Sequence, residues 1–114
     1  MAKKIQTSGV EALVAVIVHG LQEKKGINIV SLDLRKTSSA FADFFVICNG
    51  GSARQVDALA DSVEAEVRKA LAEKPTHREG NDESEWVLLD YINVVVHIFS
   101  EEKRNFYQLE ELWG

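Results

Sequence analysis

The chain has 114 residues and carries 13 Lys and Arg against 18 Asp and Glu, which gives a net charge of −5. This length predicts a single domain over 1–114, with a core at about 8–113 that needs no disulfide or metal. The negative charge disfavours unaided binding to a nucleic-acid backbone, and no apolar run approaches the roughly twenty residues that span a bilayer. Direct nucleic-acid binding and membrane insertion are therefore not expected.

The cysteine and the N-terminal region bear on the compartment. The single cysteine, Cys48, follows the apolar run 44–47, which predicts a buried free thiol. The apolar stretch after Val10 is interrupted by Glu11 and His19 and lacks a small-residue cleavage site, unlike a secretory signal peptide. We therefore expect a reducing, cytoplasmic compartment.

Helix and strand signals alternate along the first half of the chain. Apolar residues at helical spacing predict a helix over 10–21, and the Lys-Lys-Gly segment 24–26 should end it. Segments 27–34 and 44–49 are rich in β-branched and aliphatic residues, which predicts two strands.

The second half begins with a long helix. Ser52 and Gln55 have the spacing of a capping box at its start, and Pro75 should terminate it. Two further strands follow, and Ser100 can begin a last helix. The order α-β-β-α-β-β-α predicts a small α+β sandwich, in which helices cover a mixed or antiparallel sheet.

The two late strands, 85–91 and 94–99, form a predicted hairpin that is largely apolar on both faces. Successive side chains of a strand point to opposite sides, so the first strand presents Trp86, Leu88 and Asp90 on one face and Val87, Leu89 and Tyr91 on the other. Such a pair of strands needs an apolar layer packed on each of its two faces. One can come from the domain and the other from a partner, while a fully internal sheet is the alternative.

Acidic residues concentrate directly before this hairpin, at Glu79, Asp82, Glu83 and Glu85. A basic protein suits such a surface better than nucleic acid does, because opposite potentials speed encounter and fix orientation. A solvated loop with no partner is the alternative interpretation.

The Gly50-Gly51-Ser52 turn is the one feature that could indicate an enzyme. Backbone amides at a helix start can hold phosphate, as they do in nucleotidyltransferase-type domains. Those enzymes also need two or three metal-binding carboxylates, commonly an Asp-x-Asp pair on a strand, whereas Asp33 and Asp90 stand singly on their predicted strands. We favour a structural turn over a phosphate site.

Other catalytic and metal-binding arrangements find little support. His97 ends an apolar stretch, which favours a packed residue satisfied by one hydrogen bond over a general base. One Cys and three His with no paired ligand spacing do not predict zinc. We therefore predict a protein without catalytic activity, metal or cofactor.

Several segments taken together resemble one known family. They are 43–50, 54–56, 85–91, 94–97 and 104–113. In order and separation they resemble the ribosomal silencing factor family, also called the Iojap or YbeB family, over roughly 10–113. Several ordered motifs with matching separations make this resemblance specific.

The resemblance implies a non-enzymatic regulator of translation, with a nucleotidyltransferase-like fold that lacks the catalytic carboxylates. It also implies binding to a basic protein on the subunit-joining face of the large ribosomal subunit, the fourteenth of the universal large-subunit series. A factor seated there would block the small subunit sterically. Large-subunit assembly and nucleotide binding are the alternative functions, and a homodimer stays open.

For the docking contacts, the hairpin predicts Trp86, Leu88 and Asp90, with Tyr91 at the rim. The alternative is that Trp86 closes the core and Asp90 accepts turn amides. Family members usually have Gly where this chain has Ile92, and a β-branched residue resists positive φ. We therefore expect the turn to change type or lengthen, or Ile92 to join a dimer interface.

Overall fold

A computed structural model describes residues 9–36, 42–80, 83 and 85–101. The elements are α1 (Gly9–Glu23), β1 (Ile27–Asp33), β2 (Phe44–Gly50), α2 (Ala53–Leu71), β3 (His77–Gly80), β4 (Trp86–Asp90) and β5 (Val94–Ser100). The predicted α+β class is confirmed. Strand β3 is not predicted from the sequence, and the helix expected after Ser100 lies outside the described residues.

The five strands form one mixed sheet in the order β1-β2-β5-β4-β3. Strands β2 and β5 lie side by side at the centre and run parallel, while every other neighbouring pair is antiparallel. Strand β2 is buried along its whole length, as the apolar sequence of its first five residues predicts. The hairpin partner β5 therefore has β2 on its other side.

Both described helices pack on one face of the sheet and enclose the larger core cluster. Their close contact depends on Gly20, where a Cβ would lie only 3.1 Å from the Val63 Cα. The Ser62 hydroxyl donates to the Gly20 carbonyl oxygen at 2.7 Å, which satisfies a buried polar group between the helices. Neither described helix has the length and apolar character that crossing a bilayer demands.

The ends of the helices follow the predicted signals with two differences. After α1 the left-handed residue is Lys25, at φ 61°, rather than Gly26. Gly26 is needed for space, because a Cβ there would clash with the buried Cys48 thiol. Helix α2 ends before Pro75, through the left-handed C-cap Ala72, at φ 57°.

Strand β3 is stabilised by contacts that its own sequence does not predict. All its residues are exposed, but Arg78 binds Asp61 at 2.9 Å and Glu64 at 2.7 Å, both on α2. The Thr76 N–H donates to the Asp90 carbonyl oxygen at 2.8 Å and starts the pairing with β4. The ion pairs of Arg78 hold the edge strand β3 against helix α2.

A candidate docking groove on the second face of the sheet

The second face of the sheet carries a smaller buried cluster, made of Leu34, Phe45, Ile47 and Phe99. Neither described helix contributes to it. Directly opposed residues share a face, so the strand register defines rows of side chains that cross the sheet. One row contains Val30, Ile47, His97, Leu88 and Glu79, and the next contains Leu32, Phe45, Val95, Asp90 and His77.

A groove of about 400 Å³ opens beside this cluster. It is lined by Ala42, Phe45, Leu88, Asp90, Ile92, Val95 and His97. Most of the lining is hydrocarbon, with one carboxylate and one imidazole. A groove of this kind suits an apolar side chain that has a cationic or polar neighbour.

The predicted contact residues divide between the two faces. Trp86, Leu88 and Asp90 are half-buried and share the second face, where Leu88 and Asp90 line the groove and Trp86 packs on the small cluster. Tyr91 is 6% exposed and packs in the helix-side core. Strand alternation puts it with Val87 and Leu89, so the structure does not bring it to the groove.

Tyr91 has an environment of its own beneath the helices. Its hydroxyl is buried and has no hydrogen-bond partner among the described residues. Burial raises the pKa of Tyr91, and the nearby Glu64 and Glu73 carboxylates add to the rise. Its ring therefore contributes to packing, and the phenol stays neutral.

Three residues, Tyr91, Ile92 and Asn93, connect β4 to β5. The Asn93 N–H donates to the Tyr91 carbonyl oxygen at 2.9 Å, which is the bond of a γ-turn centred on Ile92. Ile92 has φ 75°, a conformation that costs a β-branched residue about 1–3 kcal/mol. The turn has therefore changed type, as expected, and the connection has three residues where two were predicted.

Asp90 has the local role that its position in the turn suggests. Its Oδ1 accepts the Ile92 N–H at 2.7 Å. The Asn93 carbonyl oxygen accepts the Asp43 N–H at 2.7 Å and the Phe44 N–H at 3.1 Å, which ties the turn to the start of β2. Asp90 thus organises the turn and also presents its carboxylate to the groove.

His97 is packed between aromatic rings on the groove face. Its ring meets Phe45 edge-on at 4.8 Å and is parallel to Phe99 at 6.1 Å. Burial lowers the pKa of His97 to about 4, so the imidazole is neutral at pH 7. The predicted packing is present, but Nε2 is buried and has no hydrogen-bond partner among the described residues, so the predicted hydrogen bond is not found there.

The β3 edge gives this face a negative border. Glu79 stands opposite Leu88, and His77 stands opposite Asp90. Glu79 is exposed, and Glu83 and the half-buried Glu85 follow in the connection to β4. The strand register therefore puts the Glu79 carboxylate beside an apolar groove that already holds Asp90, an arrangement that favours a basic partner.

The Gly50-Gly51-Ser52 turn is hydrogen-bonded to the first turn of α2. The Gly51 N–H donates to Gln55 Oε1 at 2.6 Å, and the Gln55 N–H donates to Ser52 Oγ at 3.1 Å. The Gln55 side-chain amide also donates to the Lys24 and Lys25 carbonyl oxygens at 3.1 and 3.2 Å. This capping arrangement fastens α2 to the end of α1.

Asp33 and Asp90 cannot act as a metal-binding pair. Three strand spacings separate β1 from β4 in the sheet, which is about 14 Å. Asp33 stands opposite Phe44, whose side chain belongs to the helix-side core, whereas Asp90 belongs to the groove face. Two-metal chemistry needs carboxylates around ions about 4 Å apart. These two aspartates lie on opposite faces.

Part of the groove is not predicted from the sequence. Ala42 and Phe45 meet the β4 and β5 residues only because β2 pairs in parallel with β5, whereas Val95 and His97 stand directly opposite β4 in the predicted hairpin. Segments 44–50 and 94–100 are far apart in the chain, and nothing in their apolar sequences specifies that they are neighbours. The β4 side was found because alternation within one strand is a local signal.

Comparison with known proteins places the chain in a family. It matches the family model described as "Ribosomal silencing factor during starvation" over residues 7–114. A ribosomal silencing factor RsfS from Haemophilus influenzae is 40% identical over 103 residues, which cover 90% of this chain and 99% of that protein. Another from Halalkalibacterium halodurans is 38% identical over 107 residues, covering 91% and 87%.

A solved structure agrees with these relatives. The crystal structure of a Chromobacterium violaceum protein superposes with a TM-score of 0.85 at 34% identity and covers 92% of this chain and 86% of that one. The resemblance expected from the sequence segments is therefore confirmed, and the chain belongs to the ribosomal silencing factor family.

Proposed function

We propose that this protein represses translation by docking on the subunit-joining face of the large ribosomal subunit, where it blocks association with the small subunit. The observation that carries the proposal is an apolar groove bordered by acidic residues on one sheet face, in a chain of the ribosomal silencing factor family. Its direct partner is a basic ribosomal protein, the fourteenth of the universal large-subunit series, and its compartment is the cytoplasm.

The groove residues supply the apolar part of this interaction. Trp86 and Leu88 are half-buried, so each retains surface that a partner can cover. Aromatic anchors next to a pocket dominate the energetics of many interfaces. Leu88 lies on the groove wall, and Trp86 is fixed by the small cluster beside it. Both contacts are therefore preorganised before docking.

The charged residues supply orientation. Asp90 is at the groove, and Glu79 is exposed one row away on β3. These carboxylates would meet Lys or Arg side chains of a basic ribosomal protein. Charges at the border of an interface raise the association rate and lose much of that effect in salt.

To block association, the protein only has to occupy space on the joining face. The chain measures 22 Å along its shortest principal axis. Surfaces that associate must bring heavy atoms within about 4 Å of one another, so a body of this size on the joining face keeps the subunits apart. No bond has to be made or broken.

Sedimentation of purified large and small subunits, at a magnesium concentration that joins them, tests this proposal. We expect the wild-type protein to travel with the large subunit and to reduce the fraction of joined ribosomes. Trp86→Ala, verified as folded by circular dichroism, should lose at least about tenfold in affinity because the anchor is gone.

Two further variants complete the design. Glu79→Lys reverses an exposed charge, leaves the core untouched and should weaken docking in a salt-dependent way. Leu71→Ala, on the helix side, is a control that should lose stability without losing affinity. Failure of the wild type to bind, or binding to precursor particles alone, would contradict the proposal.

A further inference from the structure

Ile92 combines strain with exposure. It is the one large hydrophobic residue that is strongly exposed in the described part of the chain, at 62%. Its φ of 75° is one that L-residues with a branched Cβ rarely adopt. A glycine would form the same turn without steric strain. The side chain therefore makes the turn less favourable and gains little burial in return.

The surrounding hydrogen bonds hold Ile92 in this conformation. Its N–H donates to Asp90 Oδ1 at 2.7 Å, and the neighbouring Asn93 N–H donates to the Tyr91 carbonyl oxygen at 2.9 Å. The Asn93 carbonyl oxygen in turn accepts two amides from the start of β2. Bonds on both sides of Ile92 thus fix where its side chain projects.

That position is at the groove. Ile92 lines it together with Leu88 and Val95, and Asp90 supplies the adjacent carboxylate. A strained residue that persists at a binding surface points to a role in binding rather than in folding. We infer that Ile92 is an affinity-determining contact of the docking face, where it packs against apolar atoms of the basic ribosomal protein. This inference rests on the proposed function.

The inference predicts that stability and affinity change in opposite directions. In Ile92→Gly the strain is relieved, so the thermal midpoint should rise by roughly 4 °C. The same change removes an apolar contact, so the affinity for the large subunit should fall about tenfold. A residue with only a structural role would not produce this combination.

Two variants control for the conformational change. Ile92→Leu keeps an apolar side chain and should retain affinity within about threefold of the wild type. Ala72→Gly relieves a left-handed conformation at the end of α2, at φ 57°, without a change of charge. It should raise the thermal midpoint and leave the affinity unchanged.

The measurements are the dissociation constant for purified large subunits, the thermal midpoint, and the sedimentation equilibrium of the free protein. Lower affinity and a higher midpoint in Ile92→Gly, with Ile92→Leu near the wild type, support the inference. If the wild type binds and Ile92→Gly binds equally well, the inference is wrong and the proposed function stands. If Ile92→Gly alters only self-association, Ile92 belongs to a contact between copies and the inference is also wrong. If the wild type does not bind, the proposed function fails first.

Discussion

The two faces of the sheet differ in what completes them. On the helix side, Leu89 and Val96 are fully buried beneath α1 and α2. On the other side, their strand neighbours Leu88 and Val95 are only partly buried and line a groove. The same two strands therefore serve the fold with one set of side chains and leave the other set partly exposed in the groove.

This difference shows how a hairpin that is apolar on both sides divides its roles. Full burial makes a side chain valuable for stability, because its removal leaves a cavity. Partial burial leaves apolar area that association can still remove from water. Adjacent residues of one strand should thus respond differently to the same substitution.

Leu89→Ala and Leu88→Ala test this division directly. Leu89→Ala should lower the free energy of unfolding by about 3 kcal/mol, because it leaves a cavity under the helices. Leu88→Ala should cost below about 1 kcal/mol and weaken docking about tenfold. Urea denaturation and subunit binding measure the pair. Equal losses of stability would break the distinction between the faces.

Low pH should reduce the stability of the protein through His97, on the groove face. The pKa of His97 is lowered from 6.5 to about 4, so the folded protein disfavours the charged imidazole. Above pH 6.5 the imidazole is neutral in both the folded and the unfolded state, so His97 costs the fold no stability there. As the pH falls toward 4, the unfolded chain binds the proton more readily, and up to about 3 kcal/mol of stability should be lost.

Denaturation at pH 7 and at pH 4.5 measures this loss. His97→Phe keeps an aromatic ring beside Phe45 and Phe99 and should remove most of the pH dependence in that range. His19 and His77 are exposed and stay in both proteins as internal controls. An unchanged slope in the variant would assign the acid sensitivity to other groups.

Substitution of Arg78 should give the smallest effect among these variants, a small loss of stability. Arg78→Gln removes the ion pairs to Asp61 and Glu64 and should destabilise the protein by about 0.5–1 kcal/mol, less at high salt. Its strand neighbour Glu79 lies on the groove face, so Arg78 lies on the opposite face. Arg78→Gln should therefore leave docking unchanged. Denaturation at two salt concentrations, together with subunit binding, checks both statements.

Local signals explain what could be predicted from the sequence. The α1 stripe, the Ser52 cap and the alternation along β4 each depend on residues within a few positions of one another. Strand β3 was missed because it has a polar, charged sequence, and its pairing depends on Arg78 reaching α2. Only the fold brings those groups together.

Only those residues of the candidate site that a local sequence pattern reveals could be predicted. Trp86, Leu88 and Asp90 follow from alternation, and His97 stands opposite Leu88 in the hairpin, whereas Phe45 enters the groove through the β2–β5 pairing. Tyr91 was placed at the rim by its position after Asp90, but the alternation of the strand continues through it. The conflict at Ile92 could be anticipated from the sequence, together with a role in a dimer interface, but its position on the groove wall could not.

The parallel pairing of β2 with β5 also has a kinetic consequence. These strands are the centre of the sheet, yet some fifty residues of chain separate Phe45 from Val95, its partner across the pair. Closing so long a loop is slow compared with forming a hairpin or a helix. The β4–β5 hairpin can therefore form early, but the groove is complete only when β2 has been added. A partly folded chain would lack the groove, so binding through it, as proposed above, would report that folding is finished.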